Sequence, residues 1–244
     1  MNDPMTPISV DEPFQFCCSP GVPCFNACCR DLNQFLYPYD ILRLKHHLGV
    51  SSTRFLERYA TVHVGPESGL PIVSLTADYT DKFKCPFVSP EGCRVYRDRP
   101  AACRMYPLAR ALSRNRETGE LTEHFALLKE PHCSGFDQDG SQTVEEWVED
   151  QDLADYNRMN DRMLEIISIK NQRHPAVLDI KSQYLFRLAL YDLDEFRVQV
   201  FEKGILSDMK LDPDRLESAR TDDVALLELR KAFVKWELFG VGKE

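Results

Sequence analysis

The stretch "PCFNACC", residues 23–29, places three cysteines within six positions: Cys24, Cys28 and Cys29. Consecutive side chains point in different directions on a helix or a strand, so packing in one apolar core does not need the adjacent pair. Pro23 suits the first turn of a short helix. Such a helix would carry Cys24 and Cys28 on one face, with Cys29 about 100° around the axis. The stretch therefore predicts thiolate ligands that face more than one metal atom or protein element.

The cysteine distribution argues for reduced thiols. The chain has 244 residues and nine cysteines, all between positions 17 and 133. A chain of this length builds a sizeable core without cross-links, the count is odd, and the N-terminus "MNDPMTPISVDEPF" lacks the basic start and apolar run of a secretory signal. Disulfides are therefore not expected. The predicted location is the cytoplasm, where thiols stay reduced.

Charge and hydropathy exclude two classes of partner. The net charge of −9 disfavours nucleic acid. No stretch approaches 18 uninterrupted apolar residues, so no membrane span is expected. Residues 1–135 contain 15 basic residues (Lys and Arg) and 15 acidic residues (Asp and Glu), whereas residues 136–244 contain 15 basic and 24 acidic residues. The acidic surplus of the second half leaves a protein partner possible there.

The local patterns predict an α+β fold with two parts. A cysteine-rich metal-binding domain of short helices and hairpins is expected over residues 1–135, and a mainly α-helical region that packs on it over residues 136–244. Thr143 and Glu146 form a capping-box pattern at the start of one helix within residues 141–169. The buried stripe of this helix would comprise Trp147, Leu153, Tyr156, Met163 and Ile166/Ile167. Other predicted elements are helices over 38–48 and 51–60, hairpins over 61–75 and 108–128, a short helix at "RPAAC", and helices over 175–203 and 214–239.

The cysteine spacing favours an iron–sulfur cluster over zinc. Structural zinc sites usually repeat C-x2–4-C pairs, and this chain has no C-x2-C pair. One tetrahedral zinc ion needs sulfurs about 3.8 Å apart, given Zn–S bonds of about 2.3 Å, and adjacent Cys28 and Cys29 meet that poorly. A cluster presents several metal atoms, so adjacent thiolates can reach different irons. Two separate metal sites would also suit the pair.

Basic residues surround the later cysteines. Residues 94–110 contain one acidic residue, Asp98, and five arginines: Arg94, Arg97, Arg99, Arg104 and Arg110. Bundled thiolates repel one another, and guanidinium groups offset that charge and donate hydrogen bonds to sulfur. The alternative for any one arginine is a solvated basic surface.

Several spaced motifs now agree in order: "FCC", "PCFNACCRDL", "PYDILRL", "CPFVSPEGCRVYRDRPAACRMYP" and "PHCSGF". Together they resemble the YkgJ-like cysteine-cluster family, described as a zinc- or iron-chelating domain, over roughly residues 14–150. A related cluster occurs in flagellin lysine N-methylases. The family pattern Phe-x-Cys selects Phe16 and Cys18 and leaves Cys17 as an extra thiol. The Cys-x-x-Cys-Gly opening of many members is replaced here by "CSPGVPCFNACC", which leaves the partition of ligands open.

The resulting prediction is a cytoplasmic metal-binding protein with eight thiolate ligands. These are Cys18, Cys24, Cys28, Cys29, Cys85, Cys93, Cys103 and Cys133. They would hold one cluster or two four-thiolate sites, with an iron–sulfur cluster favoured and structural zinc as the alternative. His132 is a further possible ligand. An enzyme that uses the cluster for redox or methyl-transfer chemistry also stays open, although no general base, nucleophile pair or cofactor loop is visible.

Overall fold

The computed structural model describes residues 5–30, 34–115 and 117–243. Within them the strands are β1 (Met5–Ile8), β2 (Pro13–Gln15), β3 (Phe35–Leu36), β4 (Ala60–Val64), β5 (Pro71–Leu75), β6 (Val88–Ser89), β7 (Gly92–Cys93), β8 (Leu108–Arg114), β9 (Leu121–Leu128) and β10 (Ser141–Thr143). The helices are α1 (Pro38–Leu48), α2 (Ser52–Tyr59), α3 (Ala101–Met105), α4 (Val144–Asp150), α5 (Leu153–Arg173), α6 (Ile180–Tyr191), α7 (Leu193–Phe201), α8 (Pro213–Ser218) and α9 (Asp223–Phe239). Short 3-10 turns lie at Ala27–Cys29, Tyr96–Asp98 and Ser134–Asp137. The fold class is α+β with a mainly helical C-terminal part, as predicted.

Most local predictions are confirmed. Gly49 ends α1 in the left-handed conformation, with φ 63°. The two predicted hairpins are β4–β5 and β8–β9, although Arg116 in the second turn lies outside the described residues. The capping box at α4 is present, with Thr143 Oγ1 accepting from the Glu146 N–H and the Glu146 carboxylate accepting from the Thr143 N–H.

Three predicted long helices are each interrupted. The helix predicted from the Thr143 cap is divided between α4 and α5, where Asp152 has φ 51°. The helix predicted over 175–203 is divided at Asp192, whose φ of −105° and ψ of 74° leave the helical region. The Asp192 carboxylate accepts hydrogen bonds from the hydroxyls of Ser52 and Thr53, at 2.8 and 2.9 Å. These distant partners explain why periodicity alone did not reveal the break. The helix predicted over 214–239 is likewise divided between α8 and α9, where Asp222 caps the second segment.

Contacts between residues divide the chain into two compact units. One comprises residues 1–32 and 77–157, and the other comprises residues 33–76 and 158–244. One of the three boundaries between the units, after residue 157, falls within α5. The predicted domains 1–135 and 136–244 stay a prediction. In the described part of the chain, no helix has both the length and the apolar character needed to cross a membrane.

The first unit is built from small antiparallel sheets. Strands occur in the order β1-β9-β8 in one sheet, while β10 pairs with β2 and β6 pairs with β7. Its core includes Phe16, which is 3% exposed and meets the rings of Tyr106, Phe136 and Trp147 edge-on at centroid distances of 5.2–5.9 Å. This aromatic cluster fixes the backbone that leads directly into Cys17 and Cys18.

The second unit packs helices with a three-stranded sheet of order β3-β5-β4. Leu44, Phe55 and Phe186 are fully buried in it. A partly buried charge network joins α1, α7 and α9: Lys45 Nζ lies 2.8 Å from Asp194 Oδ1 and 3.2 Å from Asp223 Oδ2. Because most of its charged groups have partners, the network ties the helices together at a modest desolvation cost.

Candidate metal centre

Cys17 and Cys18 follow β2 and lie against residues 133–140. The Cys17 N–H donates to Gly135 O at 3.0 Å. Glycine is required at this position, because a Cβ on Gly135 would lie 2.5 Å from the ring of Phe16 and 3.1 Å from Cys17 O. The sequence signal "PHCSGF" therefore has a physical basis, since the Gly allows two distant segments to meet at the candidate site.

The cysteines of "PCFNACC" lie in consecutive tight turns, and the predicted α-helix is wrong. The backbone hydrogen bonds span three residues, as from Cys29 N–H to Asn26 O at 3.1 Å. Asn26 has φ 68°, in the left-handed region, which interrupts any helix. Its side-chain Nδ2 donates to Ser89 O at 2.9 Å. Cys24 and Cys28 therefore do not share an α-helical face, and a tertiary contact decides the local conformation.

Cys24 lies beside the Cys133 segment. Its Sγ accepts a hydrogen bond from the Ser134 N–H at 3.1 Å. Burial raises the pKa of the nearby Cys18 thiol to about 11, and the neighbouring thiolates add to this rise: Cys28, Cys24, Cys133 and Cys17. Interactions of this kind place the sulfurs of these cysteines near one another.

The adjacent cysteines Cys28 and Cys29 contact each other and a second set of cysteines. Cys28 and Cys29 hydrogen-bond to each other, which lowers the pKa of Cys28 to about 7 and raises that of Cys29. Cys28 is thus the first of the pair to deprotonate. The Cys85 N–H donates to Cys29 O at 2.9 Å, which places the Cys85 segment beside the pair. The thiolates of Cys85 and Cys103 further raise the pKa of Cys29.

Cys93 and Cys103 share an arginine neighbour. Cys93 lies in β7, opposite Val88 of β6, and the Val88 N–H donates to Cys85 O at 3.2 Å. Burial raises the pKa of Cys93, and the cations Arg99 and Arg94 oppose that rise. Both Cys103 and Cys93 interact electrostatically with Arg99, as a cation that offsets thiolate charge would.

Only part of the arginine prediction is supported by electrostatic interactions with the cysteines. Arg99 is 8% exposed, stacks 3.8 Å over the Tyr96 ring and bonds to Gln151. Arg104 is also buried, but its guanidinium donates to main-chain oxygens, including Gln151 O at 2.6 Å. Arg110 pairs with Glu123 instead. Arg104 therefore fixes the backbone around α3, whereas Arg99 also supplies charge near the thiols.

Two further residues flank Cys133. His132 is half-exposed and lies 3.7 Å from Glu130, between Nε2 and Oε2. Tyr106 was missed by sequence reasoning: its hydroxyl is buried, and burial together with Cys133 and Glu130 raises its pKa. The motif "RMYP" after Cys103 contains this tyrosine, but nothing in its spacing marks the residue as a neighbour of Cys133.

The contacts bring the eight predicted ligands into two neighbouring groups. The first group contains Cys18, Cys24 and Cys133, and the second contains Cys29, Cys85, Cys93 and Cys103. The eighth residue, Cys28, interacts with members of both groups: Cys18 in the first, and Cys29 and Cys93 in the second. All nine cysteines are free thiols. Within the described residues no group of three or more His, Cys, Asp or Glu side chains is arranged to hold a metal ion, so the ligand set stays a prediction.

Comparison with known proteins indicates the chemistry of the cysteine cluster. Residues 17–134 match the family CxxCxxCC, whose description is "Putative zinc- or iron-chelating domain". This segment, just under half of the chain, is similar to that family. The match confirms the predicted cysteine-cluster, metal-chelating family and covers all nine cysteines. No curated protein and no solved structure matches the chain. The chain is thus supported as a metal-binding protein with zinc or iron as the metal.

Proposed function

We propose that the cysteine-cluster domain binds metal at two adjacent four-thiolate sites, divided between Cys28 and Cys29. Site A comprises Cys18, Cys24, Cys28 and Cys133, and site B comprises Cys29, Cys85, Cys93 and Cys103. One observation carries the proposal: free thiols from distant segments interact electrostatically within the residues that match the chelating family. Such clustering costs free energy without a cation, and a bound metal converts that cost into stability.

An iron–sulfur cluster remains the favoured occupant, with zinc as the alternative. The sulfurs interact electrostatically, but the described side chains do not form the close cage that a single ion needs. The adjacent thiolates of Cys28 and Cys29 favour a body of several metal atoms, because they can reach different irons. When bound, such a cluster would supply one-electron redox chemistry, whereas zinc closed by four thiolates would supply structural stability. Arg99 would lie beside site B and offset its negative charge.

The proposed role is binding in the cytoplasm. A reducing compartment keeps the thiols available for metal. Catalysis at a metal normally needs a coordination position open to substrate, and four thiolates per site leave none. The enzyme alternative would regain support if one site proved to have only three protein ligands.

Metal analysis of serine variants tests the partition. The chain is purified anaerobically, and iron, zinc and acid-labile sulfide are measured per chain. Wild-type protein is expected to be brown, with iron and sulfide at cluster stoichiometry; stoichiometric zinc in colourless protein would transfer the assignment to zinc. Cys24→Ser should lose the metal of site A and keep that of site B, and Cys103→Ser should do the reverse.

Cys17→Ser is the matched control, because Cys17 is a thiol of the same cluster outside the proposed ligand set. Its metal content should equal that of wild type. Equal metal loss in all three variants would refute the two-site partition, and full metal retention in Cys24→Ser and Cys103→Ser would refute thiolate ligation at both.

A further inference from the structure

Strand β4 forms an open edge of the sheet in the second unit. The strand order is β3-β5-β4, so in the described part of the chain β4 pairs only with β5. The Gly65 N–H donates to Leu70 O at 2.9 Å just beyond the end of this pair, which fixes the alternation of its hydrogen bonds. By that alternation Val62 and Val64 point their main-chain N–H and C=O groups away from β5. A further strand could pair with these groups.

β4 lacks the features that usually protect a strand edge. Prolines, charged side chains and very short strands discourage pairing with another chain. At the edges of the sheet β1-β9-β8, β1 contains Pro7 and β8 contains Arg110 and Arg114. On the opposite edge of its own sheet, β3 has only two residues. β4 has five residues, "ATVHV", with no proline, lysine, arginine or carboxylate. Its edge is therefore suited to pairing with a strand from another protein.

A groove of about 240 Å³ lies between β4 and α6. Its lining includes Val62 and Val64 on the strand, and Ile180, Tyr184 and Arg187 on one side of the helix. The four apolar and aromatic side chains are all exposed, and that of Ile180 is 87% exposed. Two helical turns separate Ile180 from Arg187, a length of about 10 Å that three to four residues of an added strand would cover. Large apolar side chains exposed together indicate an interaction site.

One end of the groove has a cation without a counter-ion. Arg187 forms no ion pair among the described residues, and its Cζ lies 5.8 Å from the centroid of the Tyr184 ring. A Cβ on Gly69 would lie 3.2 Å from Val177 Cα, so α6 begins beside the hairpin turn that follows β4 and Arg187 lies two helical turns further on. Because β4 contains no acidic residue, a second copy paired through β4 would bring no carboxylate from that strand to Arg187. A partner segment with an acidic side chain supplies the missing charge.

We propose that β4 and α6 bind an extended segment of a partner protein, which adds to β4 as a fourth, antiparallel strand. Main-chain hydrogen bonds to Val62 and Val64 hold the segment, and the groove selects its side chains. Alternate apolar side chains lie against Ile180 and Tyr184, and an acidic side chain pairs with Arg187. Antiparallel pairing is the more stable form per residue. The site shares no residue with the proposed thiolate sites, so either proposal can fail without the other.

Fluorescence anisotropy of a labelled peptide, Thr-Val-Thr-Val-Thr-Glu-Thr, measures binding to the full chain. Both valines and the glutamate lie on one face of an extended strand. Valines that face α6 lie opposite Val62 and Val64, so their N–H groups point to β4 and those of the threonines point away. N-methylation of both valines should therefore weaken binding at least tenfold, whereas N-methylation of the two threonines that follow them should change it less than twofold. No saturable binding of the parent peptide would overturn the proposal, as would a valine-methylated peptide that binds as tightly as the threonine-methylated one.

A comparison of two peptides on two proteins tests the role of Arg187. Replacing the peptide glutamate by glutamine should weaken binding to the wild-type chain about threefold, the effect of a partly exposed ion pair. In Arg187→Gln the two peptides should bind equally, because the cation that distinguishes them is gone. A threefold difference that persists in Arg187→Gln would refute the assigned pairing.

Ile180→Ser tests the groove itself and should weaken binding of the parent peptide about fivefold, since it removes an apolar contact. The side chain is exposed, so the fold should be retained, as circular dichroism would check. Val224→Ser is the matched control: it removes an exposed apolar side chain from the first turn of α9, outside the groove, and affinity should be unchanged. Equal affinity of the two variants would refute the groove. A dimer in analytical ultracentrifugation that Ile180→Ser abolishes and Val224→Ser keeps would assign the edge to a second copy and overturn the proposal.

Discussion

Replacing Gly135 by Ala tests the close contact on which the candidate metal centre depends. The added Cβ would lie 2.5 Å from Cε2 and 3.0 Å from Cδ2 of Phe16, and 3.1 Å from Cys17 O. The ring cannot move freely, because Phe16 is 3% exposed and three other aromatic rings surround it. The Cys17 oxygen is main-chain, and its segment is tied to residue 135 by a hydrogen bond.

The expected magnitude combines two opposing terms. Overpacking of a core costs about 1–3 kcal/mol. A Gly→Ala change in a compatible backbone conformation recovers about 0.4–1 kcal/mol through the unfolded state. Gly135 does not have positive φ, so this second term applies. Taking the midpoints of the two ranges, about 2 and about 0.7 kcal/mol, the free energy of unfolding should fall by about 1.3 kcal/mol, and metal content should fall with it.

Urea denaturation of the purified protein, at matched metal loading, measures the change. Gly21→Ala is the control, since its Cβ would meet only Ser19 Oγ at 3.9 Å; it should be neutral or slightly stabilising. Phe16→Leu removes Cε2, the atom with the closest clash, so Gly135→Ala should cost at least about 1 kcal/mol less in that background. A Gly135→Ala protein as stable as wild type, with no coupling to Phe16, would refute the reasoning.

Three further predictions concern charge and capping. Burial opposes ionisation of Asp194, but hydrogen bonds from Lys45 and Ser52 outweigh it and hold its pKa below the usual value. The stability it contributes should be complete above the unfolded aspartate pKa of about 4 and lost as pH falls towards the lower folded value. Asp194→Asn should flatten this acid dependence in denaturation curves, and an unchanged slope would exclude the carboxylate. The Asp222 carboxylate accepts hydrogen bonds from the N–H groups of Val224 and Ala225 at 2.7 and 3.1 Å. Asp222→Ala should therefore lower the free energy of unfolding in urea by about 1 kcal/mol, while Asp222→Asn stays near wild type. Equal losses of stability in the two variants would argue against capping. In metal-free protein, alkylation monitored by mass spectrometry should modify Cys28 at half its maximal rate near pH 7, because hydrogen bonding to Cys29 lowers the pKa of Cys28 to about 7. Cys18, with a pKa of about 11, should stay largely unmodified at that pH. Equal rates for both thiols would contradict this order.

Local signals in the sequence predicted the elements whose structure is decided locally. Gly49 ends α1, and the Thr143–Glu146 capping box begins α4. The conformation of the cysteine turn was not predictable in this way, because the left-handed Asn26 bonds to Ser89, which is 63 residues away in the chain. The break at Asp192 has a similar long-range cause in Ser52 and Thr53.

The candidate site shows the same division between local and long-range information. Residue type and number indicated thiolate ligation, and the resemblance to a cysteine-cluster family was confirmed over residues 17–134. The grouping of the thiols depends on contacts between distant segments, such as Ser134 with Cys24 and Cys85 with Cys29. Spacing along the chain does not encode these pairings.

X-ray absorption spectroscopy at the metal edge of the purified wild-type protein tests the central claim most directly, because it identifies the atoms bound to the metal. Thiolate ligation from the cysteine cluster predicts a first shell of sulfur alone, at about 2.3 Å, with no nitrogen or oxygen. A first shell dominated by nitrogen or oxygen would contradict the account.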